Sequence, residues 1–68
     1  MPVMDSSAIQ RVDYSRAQCT LFVTFSSGRE YVYFDVPEEL YRAFLAAPSP
    51  GQFFNFEIRD RYRFRELA

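Results

Sequence analysis

The side chains best suited to chemistry in this 68-residue sequence lie near its end, where Arg59, Arg61, Arg63 and Arg65 are interleaved with Tyr62 and Phe64. A guanidinium fork pairs bidentately with phosphate, and its plane stacks on bases. Glu57, Asp60 and Glu66 stand within the same run. The plainer expectation is therefore an exposed face crossed by weak ion pairs. A second group is Tyr31 and Tyr33, which with Phe22 and Arg11 would make a stacking platform for single-stranded nucleic acid, a contact worth ~1–3 kcal/mol per base. The competing expectation is that a helix or the Tyr62–Phe64 segment covers those rings and makes them core. The candidate nucleic-acid-binding residues are thus Arg11, Phe22, Tyr31, Tyr33, Arg59, Arg61, Tyr62, Arg63 and Arg65.

Other chemistries lack their parts. With no histidine, the commonest acid/base and the commonest zinc ligand are missing together. Cys19 is the one cysteine, so no intrachain disulfide forms, and it is expected to be a small half-buried residue at a strand start. Ser6-Ser7 and Ser26-Ser27 have no histidine or lysine to activate them, and Glu38, Glu39 and Asp60 have no nucleophile or metal partner nearby. No catalytic residues, metal or cofactor are expected, and the protein is not expected to be an enzyme. Asn55, between Phe54 and Phe56, is expected to tie a loop or turn through its amide.

The elements that must position these groups start with a hairpin. TLFVTF and EYVYFD, joined by SSGR over Thr20–Asp35, alternate β-branched and aromatic residues around a short Ser/Gly link. With Ser27-Gly28 at the tip, Phe25 faces Glu30, Val23 faces Val32 and Leu21 faces Phe34. One face then carries Leu21, Val23, Phe25, Val32 and Phe34 as core, and the other carries Phe22, Tyr31 and Tyr33 among Thr20 and Thr24. Ile9 to Tyr14 reads as an earlier strand, with Arg16-Ala17 at its turn and Val12 facing Leu21. Ile9 falls on the outer face in that register, which a one-residue bulge would re-aim. Pro37, Glu38 and Glu39 open a helix, Leu40, Ala43, Phe44 and Ala47 give it an apolar stripe, and Pro48 and Pro50 prevent its continuation. Ser49, Pro50 and Gln52 restart a helix with Phe54 and Ile58 on one side, to about Asp60. Beyond it, Arg61 to Arg65 alternates with period two, as a short strand or an extended tail would.

The expected fold is α+β: a three-stranded antiparallel meander followed by two helices, the first lying on the Leu21/Val23/Val32/Phe34 face. Residues 1–68 are read as a single small domain, with 1–7 a flexible tail and 63–68 a loose C-terminal end. A chain this short buries only roughly 60% of its unfolded surface, and its eight Phe and five Tyr supply the density such a core needs. The net charge of −1 does not suit a general polyanion binder, although it is unevenly spread. Three arginines stand against six acids through Tyr41, and five against three from Arg42 onward. No run approaches the ~20 apolar residues of a membrane span, and MPVMDSSAIQ lacks the features of a signal peptide. A soluble, cytoplasmic protein with no membrane partner is expected.

Several pieces in order resemble a known family: Ser6-Ser7-x-Ile9-x-x-Val12-x-Tyr14, Leu21-x-Val23-x-Phe25-x-x-Gly28, Tyr31-x-Tyr33, Val36-Pro37, and Ser49-x-Gly51-x-x-Phe54-Asn55-x-x-Ile58-Arg59-x-x-Tyr62. Their order and spacing are similar to the KTSC domain, a short domain at the C-terminus of some lysyl-tRNA synthetases and free-standing in bacteria. The central Tyr-x-Tyr is that family's named feature. The sequence departs from the pattern at Phe56, where a polar residue is usual, and at Arg63, where proline often follows the tyrosine. The resemblance carries no catalytic residues; its implied activity is RNA binding, suggested by the synthetase association. Two functions are therefore expected from different classes: a non-catalytic RNA-binding module using the Arg/aromatic surface, or a protein-interaction module that docks or self-associates through an aromatic sheet face.

Overall fold

The computed structural model describes residues 9–67. Four strands, β1 (Ile9–Ser15), β2 (Thr20–Phe25), β3 (Glu30–Tyr33) and β4 (Phe64–Glu66), form one antiparallel sheet in the order β1-β2-β3-β4. Between β3 and β4 the chain makes α1 (Glu38–Ala46) and the short α2 (Pro50–Phe53), which runs on into one π turn, Phe54–Ile58. The expected α+β class holds, but with four strands where three were expected. The extra one comes from the alternating Arg63–Arg65 segment, which is no loose end. Phe34 N–H donates to the Arg63 carbonyl at 2.9 Å and Leu67 N–H to that of Glu30 at 2.7 Å, on either side of a paired β4. The expected tail, residues 1–7, lies outside the described residues.

The β2–β3 register is one residue away from the expected one, and the loop explains it. Gly28 N–H donates to the Phe25 carbonyl at 2.9 Å, and Phe25 N–H donates to that of Arg29 at 2.8 Å. Gly28 sits at φ +97°. This is a three-residue loop, Ser26-Ser27-Gly28, in which a tight turn ends in a glycine bulge, rather than a two-residue tip. Leu21 therefore pairs with Tyr33 and Val23 with Tyr31. Because side chains alternate, a one-residue slip exchanges the two faces of the whole strand. Tyr31 and Tyr33 join the core face, and Val32 and Phe34 move to the face where the tyrosines were expected.

The β1–β2 register differs by two residues, which keeps the faces. Val12 pairs with Val23 and Tyr14 with Leu21, and a bulge between Ile9 and Arg11 brings Ile9 opposite Phe25. That bulge places Ile9 against the core. The turn closing this hairpin holds Cys19 at φ +53° with its side chain exposed, in place of the half-buried strand position expected. Two hydrogen bonds fasten the hairpin to the start of α1. Val36 N–H donates to the Cys19 carbonyl at 2.8 Å, and the Tyr14 hydroxyl donates to the Val36 carbonyl at 2.6 Å. Tyr14 also stacks on Tyr41, centroids 4.9 Å apart.

Both helices cover the tyrosine-bearing face. Leu21, Val23, Tyr33, Val36, Phe44, Phe54 and Ile58 form one buried cluster, so α1 lies over Leu21, Val23 and Tyr33, and not over Val32 and Phe34. Pro37 is the residue before α1 rather than its first member; its carbonyl accepts from Leu40 and Tyr41. Glu38 and Glu39 occupy the first turn, where the helix dipole favours them. Ser49 precedes α2 but makes no side-chain cap, so the helix restarts at Pro50 without the hydrogen bond that a serine at that position can supply. The helix widens early: Arg59 N–H donates to the Phe54 carbonyl five residues back, at 2.9 Å. Phe54 and Ile58 are both buried by this turn, while Phe56 is left 70% exposed.

Candidate nucleic-acid interface

The registers lay rows of side chains across the sheet. On the helix-covered face, Tyr14, Leu21, Tyr33 and Phe64 form one row, and Val12, Val23, Tyr31 and Glu66 form the next. The short helical layer covers the first three strands and stops before β4 and the β2–β3 loop. A cleft of about 490 Å³ opens there. Its floor is aromatic: Tyr31 and Tyr33 lie 6.4 Å apart and nearly parallel, with Phe64 at 5.7 and 5.5 Å from them. Phe25 meets Tyr31 edge-on at 5.7 Å, and Phe54 meets Tyr33 edge-on at 5.4 Å. The loop contributes Ser26, Ser27 and Arg29 to one wall, and the end of the π turn contributes Arg59 and Asp60 to the other.

Burial, first of all, pushes the Tyr33 phenol up to about 12; the neighbouring Tyr31 and Asp60 add to this and Arg59 opposes it. Arg29 is held above its ordinary value, first by the Tyr31 hydroxyl and then by the Glu66 carboxylate. Arg59 donates to the Asn55 side-chain oxygen at 3.2 Å. Asn55 thus braces an arginine at the cleft as well as belonging to the turn.

A second hollow beside the first is lined by Phe34, Asp60, Arg61, Tyr62, Arg63, Phe64 and Arg65. Here Arg63 lies over the Phe34 ring at 5.9 Å and 3.7 Å from the exposed Asp35 carboxylate. Among the described residues no ion pair joins these arginines to Glu57, Asp60 or Glu66. The weak ion pair found at this face, Arg63 with Asp35, runs to an acid outside the run rather than to one within it.

The nine candidates separate into three places. Tyr31, Tyr33 and Arg59 meet in the first cleft, with Tyr33 only 3% exposed. Arg61, Tyr62, Arg63 and Arg65 line the adjoining hollow. Arg11 and Phe22 stand on the opposite sheet face, where Phe22 pairs with Val32 and Arg11 bonds Asp13 at 3.0 Å. They do not join the tyrosines, because the register exchanged the faces. Sequence reasoning missed Arg29, Phe25 and Phe64 as cleft residues. The signal for Arg29 and Phe25 was the three-residue loop, which puts Phe25 and Tyr31 on the same face, whereas Phe64 arrives through the pairing of β4 with β3. Among the described residues no group of three or more His, Cys, Asp or Glu could hold a metal. No described helix is long and apolar enough to cross a membrane.

A four-stranded antiparallel sheet with two short helices on one face, and an aromatic cleft where that layer ends, defines a small α+β domain. Residues 5–62 match the family model of the KTSC domain. The chain belongs to the KTSC domain family. It is 38% identical over 63 residues to a protein of Tsukamurella paurometabola, covering 93% of this chain and 94% of that one. It is 36% identical over 64 residues to a lysine–tRNA ligase of Nostoc punctiforme, covering 94% of this chain but 11% of the ligase. The crystal structure of a KTSC domain protein from Yersinia pestis superimposes with a TM-score of 0.85 at 30% identity, covering all of this chain and 94% of that one.

Proposed function

We propose that this domain is a non-catalytic RNA-binding module, and that the aromatic cleft and the adjoining arginine hollow are its contact surface. The observation that carries this reading is the juxtaposition at β4: the Tyr31 and Phe64 rings, backed by the buried ring of Tyr33, beside Arg29 and Arg59, continuous with Arg61, Arg63 and Arg65. Stacking surfaces lined by arginine are how proteins hold single-stranded nucleic acid. The likeness to part of a lysine–tRNA ligase supports the same reading, since that relative's name places RNA within its reach. The alternative of a protein-docking face anchored by Tyr33 is weakened by that residue's burial.

The test is binding of the full chain to a single-stranded RNA oligonucleotide across a salt series. Contacts by three or four arginines should give a log–log slope of roughly 0.7 per neutralised phosphate. The Arg61→Ala/Arg63→Ala double variant should flatten that slope while its circular dichroism and melting stay those of the parent. Undetectable binding at low salt would overturn the reading.

A further inference from the structure

The first cleft has features that a merely basic surface does not need. Phe64 is held on its inner side by two tyrosine rings, yet remains 54% exposed. An aromatic ring this large is normally placed where it can bury its area; here a rigid ring is offered to solvent. Beneath it, Tyr33 is 3% exposed, and its hydroxyl has no hydrogen-bond partner among the described residues. Tyr33 nevertheless lines the cleft. With the ring buried and its hydroxyl unpartnered yet not among the buried unpaired polar atoms, the phenol oxygen is the part of Tyr33 that the cleft leaves accessible to a ligand. Arg29 and Arg59 stand on opposite walls, against the single carboxylate of Asp60 among the lining residues. At about 490 Å³ the space lies in the range of small-molecule sites.

We infer that this cleft takes a single unstacked nucleotide, its base lying against Phe64 with an edge hydrogen-bonded by the Tyr33 hydroxyl, and its phosphate held by Arg29 or Arg59. The inference rests on the RNA reading above for the source of the nucleotide, and it narrows that reading to unpaired strands. A flat ring against a flat ring matches the floor, and an anion matches the excess of arginine on the walls. A base within a duplex is stacked on both sides and cannot enter. The Tyr33 hydroxyl is a proton donor as well as an acceptor at neutral pH, so it meets either kind of group on a base edge.

The experiment uses the full chain and aromatic-region NMR, with AMP, ribose 5-phosphate, a single-stranded RNA oligonucleotide and an RNA duplex as probes. AMP and the single strand should shift Tyr31, Tyr33 and Phe64 resonances, while ribose 5-phosphate and the duplex leave them in place. Phe64→Leu should weaken AMP binding about 5- to 150-fold, the stacking contribution of one base. Phe64→Leu keeps an apolar side chain on β4, and its melting curve reports whether the sheet is intact. Tyr33→Phe, which keeps the ring and removes only the hydroxyl, supplies an independent variant and should also weaken AMP. If the single strand binds with unmoved cleft resonances and undiminished affinity in both variants, the nucleotide site is refuted and the RNA reading stands. If AMP shifts the cleft but RNA strands do not bind, the site stands and the RNA reading is refuted. If neither ligand binds, both are refuted.

Discussion

Replacing Gly28 tests the link from loop to site, because this residue sets which face the tyrosines occupy. Gly28 has φ +97°, and a Cβ added there would meet no atom within 4 Å. Gly28→Ala therefore introduces no clash, and its cost is that of the backbone conformation alone. Holding an L-residue at positive φ costs about 1–2 kcal/mol. Replacing glycine also restricts the unfolded chain, which offsets about 0.4–1 kcal/mol of that. D-alanine at the same position accepts positive φ without strain and keeps the unfolded-state gain. The L-minus-D difference thus isolates the backbone term at about 1–2 kcal/mol, and at ~4–8 °C per kcal/mol for a domain of this size it is readable as a melting difference. Cys19 provides a ligation junction for total synthesis of both chains. Thermal unfolding by circular dichroism should place the D-alanine protein at or above the parent and the L-alanine protein below it. Coincident melting of the two diastereomers would refute the glycine-bulge loop as the element fixing the β2–β3 register.

Three further outcomes follow from packing and protonation. Phe54→Ala should cost about 3–5 kcal/mol in denaturant unfolding, because its 2%-exposed ring touches Phe25, Tyr33 and Phe44. Phe34→Ala, on the other face and only half-buried, should cost clearly less; equal losses would contradict the assignment of faces. Thr20 is buried with a hydroxyl that has no partner, so Thr20→Val should leave stability unchanged or raise it by about 1–2 kcal/mol, and a marked loss would show that the hydroxyl is bonded. The Tyr33 phenol is raised from 10.0 to about 12 in the folded protein. Its stabilising contribution is therefore complete below pH 10 and is lost as the pH rises towards 12. An alkaline absorbance titration should show a late phenolate step that Tyr33→Phe removes; an unchanged titration would contradict the desolvation of that phenol.

The sequence by itself determined the local elements. Alternation in Thr20–Phe25 and Glu30–Tyr33, the stops at Pro48 and Pro50, and the Phe54/Ile58 spacing each state a period that the backbone must satisfy. It also determined that β1 shares its core face with β2, since an error of two residues in pairing leaves the faces unchanged. Tertiary structure decided the rest. Ser-Ser-Gly is compatible with a two- or a three-residue loop, and the difference of one residue carries Tyr31 and Tyr33 from the open face to the core. The i to i+5 bond of the π turn has no residue signature, yet the chain leaves that turn with Arg59 and Asp60 at the cleft. β4 is only three residues long and pairs with β3 about thirty positions earlier. Its alternation is too short to specify a strand until α1 and α2 have returned the chain to that edge. The cleft exists because two short helices cover three strands and leave the fourth, a balance of lengths and packing that no local pattern records.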